Sequence, residues 1–194
     1  MKKWLFNPFE FIAGTKSLLI GLAGLFLIIL LSSLNQIHYG AIGIHFSKDT
    51  PLWFYFAQGI IGWLTTGIIF YIAGKIFSSS SIRIIDVFGT NAFARIPDIL
   101  VSLIAFILPL GNIKSMAQNK NSLDLGTSDM ATLIVVTFVT VIISVWVIAL
   151  MWKAYSTSCN LKGAKGAWSF AIGLIIAEII SEIAFYFIRH NCLV

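Results

Sequence analysis

The sequence predicts an all-α polytopic membrane protein with five transmembrane helices, its N-terminus cytoplasmic and its C-terminus outside. Three observations carry this. First, 58% of the 194 residues are hydrophobic and 11% charged, and the mean hydropathy is +0.93, far outside the composition of a soluble domain. Second, five apolar runs, 17–34, 52–76, 84–110, 131–155 and 167–188, approach the roughly 20 residues needed to cross hydrocarbon. Third, basic residues alternate in density between connections. One side receives Lys2, Lys3, Lys16, Lys75, Arg83, Lys153, Lys162 and Lys165, and the other Lys48, Lys114, Lys120 and Arg189. Because Lys and Arg near span ends are retained inside, the first side is read as cytoplasmic.

Asn7 can cap a helix, Pro8 suits its first position, and Glu10 three residues on resembles a capping box. A helix over 8–34 would be roughly 40 Å long against a ~30 Å hydrocarbon core. Residues 1–16 are therefore expected to form an interfacial N-terminal segment, anchored by Trp4, Phe6, Phe9 and Phe11, with the chain turning inward near Gly14. Trp53 and Tyr55 open the second run, Trp152 and Tyr155 close the fourth, and Trp168 opens the fifth, as interfacial anchors would. The third run is too long for a straight span. Pro97 accounts for the excess by bending it, since proline removes a backbone donor and neighbouring helices can satisfy the freed carbonyl. The alternative places 81–94 in the interface and starts the span near Arg95. The connections 35–51, 77–83, 111–130 and 156–166 read as loops enriched in Ser, Gly, Asn and Lys, and the whole of 1–194 as one membrane domain.

Polar residues inside apolar runs are the candidate site. Arg95 follows Ile84, and Glu178 follows Ala167, by 11 residues each, which is about 16 Å of depth from the same side. An unpaired charge at mid-bilayer costs on the order of 3 kcal/mol or more. Arg95, Asp98, Glu178 and Glu182 are therefore expected to form an intramembrane polar cluster, with Asp86, Thr90, Asn91 and Ser181 as a flanking polar face. Glu178 and Glu182, four apart, share a helix face. Such a cluster reads first as interhelical glue and second as a solute or proton path. Gly21-x-x-Gly24, Gly59-x-x-Gly62 and the small residues Thr65, Thr66 and Gly67 favour close helix packing.

The chain has no His-Glu-x-x-His, Gly-x-Ser-x-Gly, P-loop or dinucleotide glycine motif, so no catalytic residue, cofactor or enzyme activity is expected. His38, His45, His190 and Cys192 lack metal-ligand spacing. They read as solvated loop residues, with no metal. Cys159 and Cys192 would face opposite sides and form no disulfide. The 13 basic residues form no cluster, which excludes nucleic acid as a partner.

The opening NPFEFIAG, the block SSIRIIDVFGTNAFARIPDIL and five spans filling nearly the whole chain resemble the bacterial branch of the Yip-domain family, the Ypt-interacting proteins. Asp86, Gly89, Arg95 and Pro97 carry the likeness. The resemblance implies a cytoplasmic N-terminus and a five-helix membrane domain. Eukaryotic members are associated with Rab-type GTPases and vesicle traffic, but they have a long soluble N-terminal extension where this sequence has about 16 residues before its first span, so a Rab-binding role does not carry over. The expectation is a non-enzymatic, multi-pass protein of a bacterial inner (cytoplasmic) membrane. It would act through helix packing, contact with membrane lipids, or recruitment of a membrane-protein partner or second copy. The alternative is a small-solute or proton transporter with Glu178 and Glu182 as carriers and Arg95 and Asp98 as counter-charges. Five helices do not divide into two equal inverted halves, which counts against the repeat-based transporter plan.

Overall fold

Four of the apolar runs become single helices, and the third two consecutive ones, in the computed structural model, which describes residues 7–46, 50–107 and 127–192. Helix α1 is Gly14–Asn35, α2 Leu52–Phe77, α3 Ile84–Ala94, α4 Asp98–Ile104, α5 Thr127–Ser158 and α6 Gly163–Cys192. Short 3-10 turns occupy Pro8–Glu10 and Ala105–Ile107. Five helical segments are long and apolar enough to cross a membrane: Gly14–Asn35, Leu52–Phe77, Ile84–Ile107, Met130–Ser158 and Gly163–His190. The protein is therefore all-α and polytopic. Lys2, Lys3, Trp4, Phe6, Lys48, Lys114, Lys120, the end of the third run beyond 107 and most of the connection 111–130 lie outside the described residues.

The first helix starts at Gly14 rather than at Pro8, because Gly14 takes a left-handed φ of +62° that separates it from the preceding turn. Asn7 does not cap the backbone. Its Nδ2 donates to Glu10 Oε1 at 2.6 Å, a side-chain pair in place of a capping box. Phe9 is buried and meets Phe93 edge-on at 5.9 Å, so it plugs into the bundle, whereas Phe11 is exposed as expected of an interfacial residue.

Between α3 and α4 the helix breaks over 95–97. Asp98 N, Ile99 N and Leu100 N donate to Arg95 O, Ile96 O and Pro97 O, a tighter i to i−3 pattern that lets the chain pass Pro97 without losing continuity. The carbonyl of Phe93, which proline would leave open, accepts from Ile96 N at 3.1 Å.

Helix α1 packs most extensively along α3, and small residues make that approach possible. A Cβ on Gly21 would stand 2.5 Å from Phe93 N, and one on Gly89 2.9 Å from Leu18 N and 3.0 Å from Gly14 O. Neither has room for more than hydrogen. Helix α6 lies mainly along α2, and α5 along α3, while α5 and α6 meet around Trp152, Tyr155 and Phe170. The main buried cluster joins Phe70, Val87, Ala94, Val147, Met151, Tyr155 and Phe170. Tyr55 and Tyr155, expected as interfacial anchors, are both buried. Each hydroxyl has a partner inside, Thr50 Oγ1 at 3.0 Å and Ser169 Oγ at 2.9 Å. Trp53 and Trp168 are exposed as anchors should be.

The departure from a purely helical reading lies in the 35–51 connection. Residues Ile37–Tyr39 (β1) and Ile44–Phe46 (β2) pair antiparallel, with Ile37 opposite Phe46, His38 opposite His45 and Tyr39 opposite Ile44. Gly40 N donates to Gly43 O at 2.7 Å and closes the turn. Gln36 ends α1 in a left-handed conformation, φ 58°, which starts the chain back along the bundle.

The glycine contacts make a direct test. Overpacking a tight site costs typically about 1–3 kcal/mol. Gly89→Val is therefore expected to lower the melting temperature of the detergent-solubilised protein by several degrees. Gly173→Ala, whose Cβ would meet Ile69 at an ordinary 3.5 Å, should leave it unchanged. Equal melting temperatures for the two variants would contradict the α1–α3 packing.

Candidate functional site

The hairpin does not sit on top of the bundle. Gly40 O lies 3.0 Å from where a Cβ on Gly62 would be, and Gly62 follows the first residue of α2 by ten positions, so the turn lies about 15 Å along that helix. Non-helical backbone at such depth must be surrounded by protein that satisfies its polar groups. Tyr39, Ile42 and Ile44 accordingly pack against the main buried cluster.

Arg95 answers for the carbonyls. Its side chain is 5% exposed, and its guanidinium donates to Gly40 O at 3.3 Å, Ala41 O at 2.9 Å, Gly62 O at 3.3 Å and Thr66 Oγ1 at 3.0 Å. One planar cation thus ties the hairpin turn to α2 from the break between α3 and α4. A guanidinium suits this role because its donors fan out in a fixed plane. Glu178 answers for the amides. Its two carboxylate oxygens accept from Ile42 N at 2.8 Å and Gly43 N at 2.9 Å.

The four-residue turn therefore lies between opposite charges, with its carbonyl end on Arg95 and its amide end on Glu178. The two charges hold opposite ends of the same turn without touching each other. Among the described residues no carboxylate comes within 4.0 Å of the Arg95 guanidinium, and its Nε has no hydrogen-bond partner. Glycine is required on both sides of this arrangement. A Cβ on Gly43 would stand 2.5 Å from Glu178 Oε1, and one on Gly62 would press on the Gly40 carbonyl.

Asp98 is buried beside Arg95, and its main-chain carbonyl accepts from the Tyr39 hydroxyl at 3.2 Å. Ser102 Oγ lies 2.8 Å from the same hydroxyl, and Ser102 O accepts from Asn35 Nδ2 at 2.8 Å, so α4 grips both the hairpin and the end of α1. Two cavities of about 20 Å³ each border Arg95 and Asp98, each with room for about one water. Glu182 reaches His45 Nε2 at 3.1 Å near the surface.

The flanking residues do different work. Asn91 Nδ2 donates to Trp63 O at 3.3 Å, and Trp63 Nε1 to Phe88 O at 3.1 Å, which knits α2 to α3. Thr90 and Ser181 hydroxyls turn back to their own helices at Asp86 O and Glu178 O. Asp86 lies near the start of α1, where it suits the helix dipole, and pairs with Arg83 at 3.6 Å. Asp86, Thr90 and Asn91 thus do not join the charged cluster.

His38 is buried rather than solvated. It stacks on Tyr55 at 4.3 Å, its Nδ1 pairs with Gln58 Oε1, and its Nε2 lies 3.0 Å from Thr50 Oγ1. Cys159 is a free thiol whose burial pushes its pKa up to about 11, which keeps it protonated and unreactive. It lies in the short connection between α5 and α6, whereas Cys192 ends α6, a helix of about 45 Å that holds the two positions too far apart for a bond within the chain.

No protein-family model, curated protein or solved structure matches the chain.

Replacing Arg95 leaves several buried acceptors without a donor, at about 1–3 kcal/mol for each one that stays unsatisfied. Arg95→Met is expected to destabilise the protein by at least about 3 kcal/mol, read as a lower thermal midpoint and faster proteolysis between α1 and α2. Arg95→Lys should recover part of the loss, because an ammonium keeps the charge but cannot span the same acceptors. A Met variant as stable as the parent would show that the guanidinium does not hold the turn.

Proposed function

We propose that this chain is a non-enzymatic, Yip-like integral protein of a bacterial inner membrane. It works through its outer surfaces, contacting lipid and recruiting a membrane partner or a second copy. The single observation that carries this reading is that the two charges flanking the hairpin turn, Arg95 and Glu178, are held mainly by main chain. Arg95 is spread over three carbonyls and a hydroxyl, and Glu178 over two amides. A carrier group must exchange partners during transport, and these are held by the hairpin that the fold needs. The outer faces of α5 and α6 meanwhile display Ile134, Phe138, Val145, Ile172, Ile179 and Ile183, surfaces suited to lipid or to another apolar helix.

The cytoplasmic N-terminus belongs to the same proposal. Lys16, Lys75, Arg83, Lys153, Lys162 and Lys165 fall at one end of the helical segments and are all exposed, which supports that end as cytoplasmic. The likeness of NPFEFIAG and DVFGTNAFARIPDIL to Yip-domain sequences supports the family assignment.

The competing transporter reading is tested in vesicles. Purified protein reconstituted with an internal pH dye is expected to pass protons no faster than empty vesicles under an imposed gradient, with Glu182→Gln no different. In native membranes, a photo-crosslinking residue at Phe138 or Ile179 should give a discrete adduct with a protein or lipid. Proton flux that Glu182→Gln abolishes while the protein stays folded would overturn the proposal in favour of transport.

A further inference from the structure

Strand β2 brings His45 against the outer half of α6, and three potential ligand side chains meet there. His45 Nε2 and one carboxylate oxygen each from Glu178 and Glu182 all lie within 4.8 Å of one another. His45 Nε2 and Glu182 Oε1 are 3.1 Å apart, close to the ~3.3 Å that separates two ligands of a tetrahedral ion bound at about 2.0–2.1 Å. No spacing in the sequence announces this set, because the hairpin supplies one ligand and a distant helix the other two.

The space among the donors is kept clear. A Cβ on Gly43 would stand 2.5 Å from Glu178 Oε1 and 2.9 Å from His45 Nε2, and a Cβ on Gly40 3.1 Å from Glu182 Oε1 and 3.3 Å from Glu178 Oε1. Both positions are glycine, so no side chain enters the volume that the three ligands face. Support and access are also present. Glu178 is oriented by the Ile42 and Gly43 amides, the kind of second layer that fixes a ligating carboxylate. The His45 and Glu182 side chains are 54% and 42% exposed, which gives an ion a way in and lets both side chains close on it.

We propose that His45, Glu178 and Glu182 form a three-ligand site for a first-row divalent cation of the zinc class, which fastens strand β2 to α6. One imidazole and two carboxylates suit zinc-like ions and leave coordination positions for water. Magnesium and calcium, which take oxygen ligands, are disfavoured by the imidazole. The site does not rest on the function proposed above, since an ion here stabilises the hairpin whatever the outer surfaces recruit.

The test is calorimetric titration of zinc chloride into metal-stripped, full-length protein in detergent, with thermal melts in parallel. The variants are His45→Gln and Glu182→Gln, because Glu178 also holds the turn amides and its loss would confuse binding with folding. One zinc per chain, a rise in melting temperature on addition, at least tenfold weaker binding in each variant, and unchanged binding in His190→Ala are the expected results. No stoichiometric binding would show that His45 and Glu182 form a hydrogen-bonded pair and nothing more, and would overturn the proposal. Equal affinity in all variants, or loss of binding in His190→Ala, would overturn it by placing the ion elsewhere. Should the two Gln variants fail to fold, X-ray absorption of the zinc-loaded parent decides. Nitrogen and oxygen ligands at about 2.0–2.2 Å are expected, and sulfur in the first shell overturns the assignment.

Discussion

A four-residue turn held between an arginine and a glutamate is the constraint on which the rest of this structure depends. The residues Gly40 to Gly43 carry backbone groups about 15 Å along α2, at a depth where water is not the default partner. Arg95 satisfies the carbonyl side and Glu178 the amide side. Neither charge would be tolerable alone in an apolar bundle, and neither would the open turn. Together they are mutually supporting, because the turn gives each charge an oriented dipole and each charge completes the turn.

Several features of the helices follow from accommodating that turn. The helix break at 95–97 places Arg95 where it reaches both the hairpin and Gly62 of α2, while α4 continues beyond it to hold Tyr39 through Asp98 O and Ser102. Glycines at 40, 43 and 62 keep side chains out of the space that the carbonyls and carboxylates occupy. With the hairpin filling one end of the bundle, α6 can lie along α2 and present Glu178 toward the turn while its isoleucines face away from the bundle. The charged cluster is in this sense glue, but it joins loop to helices more than helix to helix.

How much of this was legible in the sequence depends on the physical signal each part leaves. The five spans were readable because crossing hydrocarbon demands length and apolarity that nothing else in the chain mimics; their ends agree with the helices to within a few residues, apart from the third, which is described only to Ile107. Arg95 and Glu178 stood out as charges in apolar runs, and counting residues from a common side put them at one level. The partner of each was hidden. A main-chain carbonyl or amide looks the same at every position of a sequence, so pairing arguments reach for the opposite charge instead. The hairpin left a weaker trace in IHYGAIGIHF, an aromatic and β-branched alternation around two glycines, but a scan for 20-residue runs passes over ten-residue elements. His38 was misread for the same reason, since its burial comes from a strand that the span pattern did not reveal.

The most direct test of the central claim is amide hydrogen exchange, residue by residue, at Ile42 and Gly43 in the membrane-embedded protein. If Glu178 and Arg95 hold the turn between them, both amides should exchange at least about a hundredfold more slowly than exposed loop amides, and that protection should collapse in Arg95→Met. Exchange of Ile42 and Gly43 at the rate of an open surface loop in the parent protein would contradict the account, because it would mean that the turn lies in water and the two charges are held by something else.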